Sequence, residues 1–220
     1  MSDKKIFTPG RLALLIAVAV ILVDQLVKIW VKTSFYLGES LPILPFFELR
    51  FVQNNGMAFG MEFGSKLLLT IFRIVVVSVL IVYIYKVCKK PVESTGYVVT
   101  LALIAAGAGG NIIDCVFYGE IFTNPWPPQI AGFVPWGEGY AGLFHGLVVD
   151  MLYFPLFSFQ WPDWIPGFGG TTFSFFDPVF NIADSAITIG ILLLILFYSK
   201  YLPFGKEDDA EAKSVNNDKK

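Results

Sequence analysis

Apolar residues in this chain fall into four long runs, separated by shorter stretches in which turn formers and aromatics dominate. The runs cover about Leu12–Val31, Leu67–Tyr85, Tyr97–Cys115 and Phe180–Leu202. Each is close to the roughly 20 residues a helix needs to cross the hydrocarbon core of a bilayer. Runs of this length and composition predict membrane spans. Between the first two runs, Phe46–Val52 alternates in the manner of a short strand before an Asn-Asn-Gly turn. Ser65 stands where it could cap the second helix.

Composition and charge refine this picture. The chain is 55% hydrophobic and 15% charged, which exceeds the apolar share of an ordinary soluble domain. Basic residues collect in the amino-terminal arm (Lys4, Lys5, Arg11), in the second connection (Lys86, Lys89, Lys90) and in the tail (Lys200, Lys206, Lys213, Lys219, Lys220). From Val116 to Val179 there is no Lys or Arg. The positive-inside rule then predicts cytoplasmic termini and places the connections after the first and third runs outside. The first run is too long for the apolar core of a signal peptide and lacks a cleavage pattern, so a retained span is expected. No basic stripe or nucleic-acid motif is present, which sets nucleic acid aside. Cys88 and Cys115 end different runs at opposite faces, roughly 30 Å apart, and cannot form a disulfide.

The expected fold class is an all-α membrane protein: four transmembrane helices with a small extracytoplasmic β-containing platform. A single domain over 1–204 is expected, followed by a disordered cytoplasmic tail, 205–220. Two inserted segments, 117–146 and 151–176, fall in a stretch (117–178) rich in Phe, Trp, Gly and Pro, which suits a layer at the lipid headgroups or, alternatively, an ordered extramembrane cap without lipid contact. The first of them is also a candidate lid; His145 within it has nothing to pair with and is taken as incidental.

Candidate chemistry rests on acidic and amide residues at the run ends. Ionisable groups near membrane depth are costly and usually mark function. Asp150 and Asp184 stand beside the ends of the third and fourth runs. Two carboxylates brought together share one proton and titrate as a unit, which suits acid/base catalysis on water without a metal or a cofactor. Taken singly, Asp184 could merely cap its helix. Asp24 and Lys28 lie on one helix face, either as a packing pair or with a direct role. Asn111 and Asp114 sit three apart, as do Asn181 and Asp184. Glycines in Gly107–Gly110 permit close helix approach. On position alone, the carboxylates other than Asp24 gather at the outer ends.

Five blocks carry a resemblance. Asp24-x-x-x-Lys28, Asn54-x-Gly56-x-Ala58-Phe59, Gly107-x-x-x-Asn111-x-x-Asp114, Val148-Val149-Asp150 and Phe180-Asn181-x-Ala183-Asp184 resemble, in this order, the lipoprotein signal peptidases (signal peptidase II). The resemblance implies an aspartyl endopeptidase of the bacterial inner membrane. It would remove signal peptides from prolipoproteins just before a diacylglyceryl-modified cysteine. Asp150 and Asp184 look like the catalytic pair, with Asn54, Gly56, Asn111, Asn181 and Asp114 as supports. Expected partners are the lipid-modified precursor, membrane lipids and globomycin-type inhibitors, with the protein a monomer. The chain departs from the family pattern at Cys115, where Arg is usual, at Met57, and in its long segments around Asp150. The rival reading is a proton-coupled carrier using the Asp pair; a membrane scaffold would tolerate loss of Asp150.

Overall fold

The computed structural model describes residues 8–55, 65–89, 91 and 94–201. Four helices in it are long and apolar enough to cross a membrane. Helix α1 (Pro9–Ser34) starts on Thr8, whose hydroxyl accepts from Arg11 N, with Pro9 at the first helical position. Helix α2 spans Lys66–Cys88. Helix α3 (Thr95–Ile113) is capped by Ser94 and runs on through a π turn, Asp114–Tyr118, and a short α4, Gly119–Ile121. Helix α5 (Ile182–Leu193) continues in irregular helical turns to Tyr201. Ser65 occupies the N-cap position of α2, but its side chain makes no cap hydrogen bond, which corrects the cap expected there.

The third span therefore extends six residues beyond the apolar run that ends at Cys115. Its terminal carbonyls explain the extension, because the chain returning from the segment after it donates to them. Gly146 N bonds Cys115 O at 2.9 Å, Phe144 N bonds Val116 O at 3.2 Å and Ala141 N bonds Gly119 O at 3.0 Å. Helix ends need such partners.

Strands β1 (Ser40–Leu44) and β2 (Phe47–Asn54) lie between α1 and α2, and the strand expected at 46–52 is β2. Strands β3 (Val148–Tyr153) and β6 (Val179–Phe180) come between α4 and α5. All four join one antiparallel sheet in the order β1-β2-β3-β6, while β4 (Phe157–Gln160) and β5 (Thr172–Phe175) form a separate two-stranded ribbon. Because one sheet takes strands from the α1–α2 and the α4–α5 connections, both connections lie at one end of the bundle. The α2–α3 connection lies at the other.

The core cluster sits where helices meet sheet and includes Val31, Phe35, Phe51, Tyr118, Phe122, Val149 and Met151. Lys32 is buried beside it, and among the described residues its ammonium has no hydrogen-bond partner. Instead that group sits 5.0 Å from the Tyr140 ring, 5.3 Å from Phe122 and 5.8 Å from Phe51. A cation held by aromatic faces joins α1, β2 and the segment 117–146. That segment is thereby rooted in the core. Elsewhere the helices turn large apolar side chains outward, among them Leu26, Leu68, Phe72, Val79 and Leu196. Apolar exposure on this scale suits a lipid surround. The 205–220 tail lies outside the described residues.

Candidate active site

The site is built on two tiers of polar side chains where α1, α3 and α5 meet the sheet. The lower tier centres on Lys28, which is fully buried. Its three N–H groups go to Asp24 Oδ2 at 3.0 Å, Asp114 Oδ2 at 2.8 Å and Asn111 Oδ1 at 2.8 Å, which uses every donor an ammonium has. Gln25 Nε2 adds bonds to Asp24 Oδ2, Asp114 Oδ1 and Gly110 O. Glycine is required at 110 because a Cβ there would stand 2.7 Å from Asp24 Oδ2.

Each aspartate of this tier pins a backbone position on the tier above. Asp114 Oδ2 accepts from Val149 N at 3.2 Å, fixing the residue before Asp150. Asp24 Oδ1 accepts from Ala183 N at 2.9 Å, fixing the residue before Asp184. Lys28 ties the two pins together.

Above them lie the two candidate catalytic carboxyls. Asp150, on β3 opposite Val52, is almost wholly buried. Its Oδ2 accepts from Asn54 Nδ2 at 3.1 Å and its Oδ1 from Asn181 Nδ2 at 2.7 Å. Asp184, half-buried in the first turn of α5, accepts from Asn111 Nδ2 at 2.7 Å through Oδ1. Asn181 is the N-cap of α5, taking Asp184 N at 2.8 Å on its side chain, while Asp184 Oδ2 accepts from Asn181 N at 3.3 Å. The cap residue is thus Asn181, and Asp184 completes a capping box rather than capping alone. Asn181 Nδ2 also faces Asn111 Oδ1 at 3.1 Å. The two amides therefore bridge the carboxyls: Asp184 to Asn111 to Asn181 to Asp150.

Burial, and after it the nearby Asp184 charge, push the Asp150 carboxyl from 3.8 up to about 7; the amides of Asn54 and Asn181 pull the other way without offsetting this. Asp150 therefore stays partly protonated at neutral pH, where an isolated aspartate would be ionised. The sign for stability follows. Between about pH 4 and 7 the folded chain holds this proton and the unfolded chain does not, so stability from this group falls as pH rises through that window. We expect Asp150→Asn to remove that slope. Urea unfolding in detergent across the window, wild type against variant, measures it; identical slopes would refute the raised carboxyl.

Of the residues expected from sequence, Asp24, Lys28, Asn54, Asn111, Asp114, Asp150, Asn181 and Asp184 all converge here. One correction concerns Asp24: it does not stand apart from the other carboxylates but joins them through Lys28 and the start of α5. Gly56 and Met57 lie outside the described residues. Gln25 was missed, and so was Tyr118, whose hydroxyl donates to Gln25 Oε1 at 3.1 Å. An amide inside an apolar run, next to Asp24, is the signal that could have found Gln25. At Cys115 a guanidinium does arrive, from α2: Arg73 Nη1 approaches its sulfur at 3.8 Å. Cys115 and Cys88 are both free thiols. His145 is exposed, and its Nδ1 lies 2.8 Å from the Leu143 carbonyl oxygen.

Four membrane-length helices and a small sheet, with two amide-bridged carboxyls at the seam, define the class: a multi-pass membrane protein with a buried acidic site. The family model described as signal peptidase (SPase) II matches residues 16–200. A lipoprotein signal peptidase of Porphyromonas gingivalis is 46% identical over 212 residues, 92% of this chain and 93% of that protein. Another, from Amoebophilus asiaticus, is 38% identical over 82% of this chain and 75% of that one. A bacterial membrane enzyme solved by the in meso method at 1.9 Å resolution superposes with a TM-score of 0.53 at 25% identity, covering 84% of this chain and 90% of that one. The chain therefore belongs to the signal peptidase II family. The carrier alternative finds no support in these comparisons.

Proposed function

We propose that this chain cleaves the signal peptide from a diacylglyceryl-modified prolipoprotein just before the modified cysteine, with Asp150 and Asp184 as the catalytic pair. The observation that carries this reading is the amide bridge Asn111–Asn181, which links two carboxyls from separate elements into one hydrogen-bonded chain. Asp184, the more open of the two, takes a proton from a water molecule as its oxygen attacks the scissile carbonyl. Asp150 gives its proton to the carbonyl oxygen. The tetrahedral intermediate then collapses, the leaving nitrogen takes up the proton held at Asp184, and Asp150 recovers its own from the intermediate's hydroxyl. Asn54, Asn111 and Asn181 orient the carboxyls, while Asp24, Lys28 and Asp114 fix the backbone beneath them. Gly56, beyond β2, is assigned to the substrate side on its sequence block alone.

The distribution of lysines supports a bacterial inner-membrane placement, with both termini cytoplasmic and the site at the outer surface. There the scissile bond of a lipid-anchored precursor would be presented. One domain, acting as a monomer among membrane lipids, suffices for this chemistry. Globomycin-type peptides are the expected inhibitors.

The test is a gel-shift cleavage assay with purified protein. The lipid-modified precursor should be cut and its unmodified form left intact. Globomycin should block the reaction and EDTA leave it unchanged. Cleavage of both precursors alike would remove the lipid requirement; loss in EDTA with recovery in zinc would overturn the two-carboxyl mechanism.

A further inference from the structure

The β4–β5 ribbon stands outside the main sheet and has two unlike faces. Its register pairs Phe157 with Phe175 and Phe159 with Phe173, so these four rings project on one side, while Ser158, Gln160 and Thr172 take the alternate positions. The rings form a ladder: Phe157 and Phe175 stack at 4.9 Å, and Phe159 and Phe173 lie 5.2 Å apart. At the tip Trp161 continues it, 4.9 Å from Phe159. Even so, the four Phe residues stay 40–53% exposed, and Trp164 beyond them is 79% exposed. An isolated two-stranded hairpin is marginal in water, and a contiguous apolar patch of this kind marks a contact surface.

We propose that this Phe face lies in the lipid leaflet at the sheet end of the bundle, as a paddle seated on the bilayer. Three observations favour lipid over a protein partner. First, only residues 177–181 separate Phe176 from the start of α5, a membrane-length helix; at roughly 3.5 Å per residue the ribbon cannot stray far from the bilayer boundary. Second, the link from the ribbon to α5 is itself aromatic: Phe176 meets Phe180 at 6.2 Å and Phe180 stacks on Phe154 at 5.7 Å. Third, the whole stretch from 116 to 179 lacks Lys and Arg, while Trp is a residue favoured at membrane interfaces. The ribbon connects β3, which bears Asp150, to β6 and α5, which bears Asp184. Its seating would therefore set the height of both above the leaflet. The inference needs only the four spans and does not depend on the peptidase reading.

The experiment uses the full chain with Trp30, Trp126, Trp136 and Trp161 replaced by Phe, leaving Trp164 as the reporter. It is placed in phosphatidylcholine nanodiscs whose acyl chains are brominated near the carbonyl end. Bromolipid should remove most of the Trp164 emission, and aqueous iodide little of it. Adding Phe157→Ser and Phe175→Ser should reverse that order while circular dichroism stays unchanged. Quenching by iodide alone in the reporter with its Phe face intact would overturn the proposal. So would resistance to both quenchers, which would mean the face is covered by protein.

Discussion

Asp150→Asn and Asp184→Asn should each lower cleavage of a lipid-modified precursor by about 10²–10⁴-fold, the range an acid/base residue contributes. The two losses have different origins. Asn at 150 still offers an oxygen to one of its two amide donors, Asn54 and Asn181, but cannot pass a proton to the carbonyl oxygen. Asn at 184 cannot take a proton from water. It also presents only one acceptor where Asn111 Nδ2 and Asn181 N both donate. Each variant leaves one of two donors without its acceptor, so both should lose stability by similar amounts, about 1–3 kcal/mol. Initial rates with the purified variants, beside thermal unfolding in the same detergent, separate chemistry from folding. Normal turnover by either folded variant would end the assignment of the pair.

Much of this architecture is legible in the chain because a bilayer punishes exceptions. Four apolar runs separated by lysine-bearing and lysine-free connections leave few topologies, and each charged residue inside a run must have a partner. Lys28 with Asp24 was visible for that reason. That Asp114 completes the pair from another helix was not, since spacing along one helix says nothing about the neighbour that packs against it. The strand bearing Asp150 was also hidden: Val148–Tyr153 is buried along nearly its whole length, so it lacks the alternation that exposed β2. The π turn at Asp114 and the extension to Ile121 escaped notice because the returning segment supplies their hydrogen bonds, a tertiary effect. The exposed Phe ladder could be read only after register was known. In sequence its aromatics merge into a general richness of Phe and Trp.

Lys28→Met should be the most damaging change away from the carboxyl pair, costing about 3–5 kcal/mol, because it removes the cation bonded to both Asp24 and Asp114 in a buried cluster and strands its partners. Met keeps the length and apolar bulk of the side chain, so packing is largely preserved and the loss is electrostatic. Asp24 and Asp114 would face each other with only Gln25 between them, and the backbone pins at Ala183 and Val149 would weaken with them. A second consequence reaches the site. Lys28 can only donate, so it fixes Asn111 with Oδ1 toward the ammonium and Nδ2 toward Asp184. Without it Asn111 Oδ1 keeps the Asn181 Nδ2 donor but loses the charge-assisted one, so the amide that donates to Asp184 is held less firmly. Adding Asp114→Asn to Lys28→Met returns the cluster to its original net charge and should recover part of the stability. Activity should stay reduced, because Asn111 still lacks the ammonium that helps hold it. Thermal unfolding and initial rates for the single and double variants read the two effects independently. An unchanged melting temperature for Lys28→Met would show that the ammonium is not what holds the two tiers together.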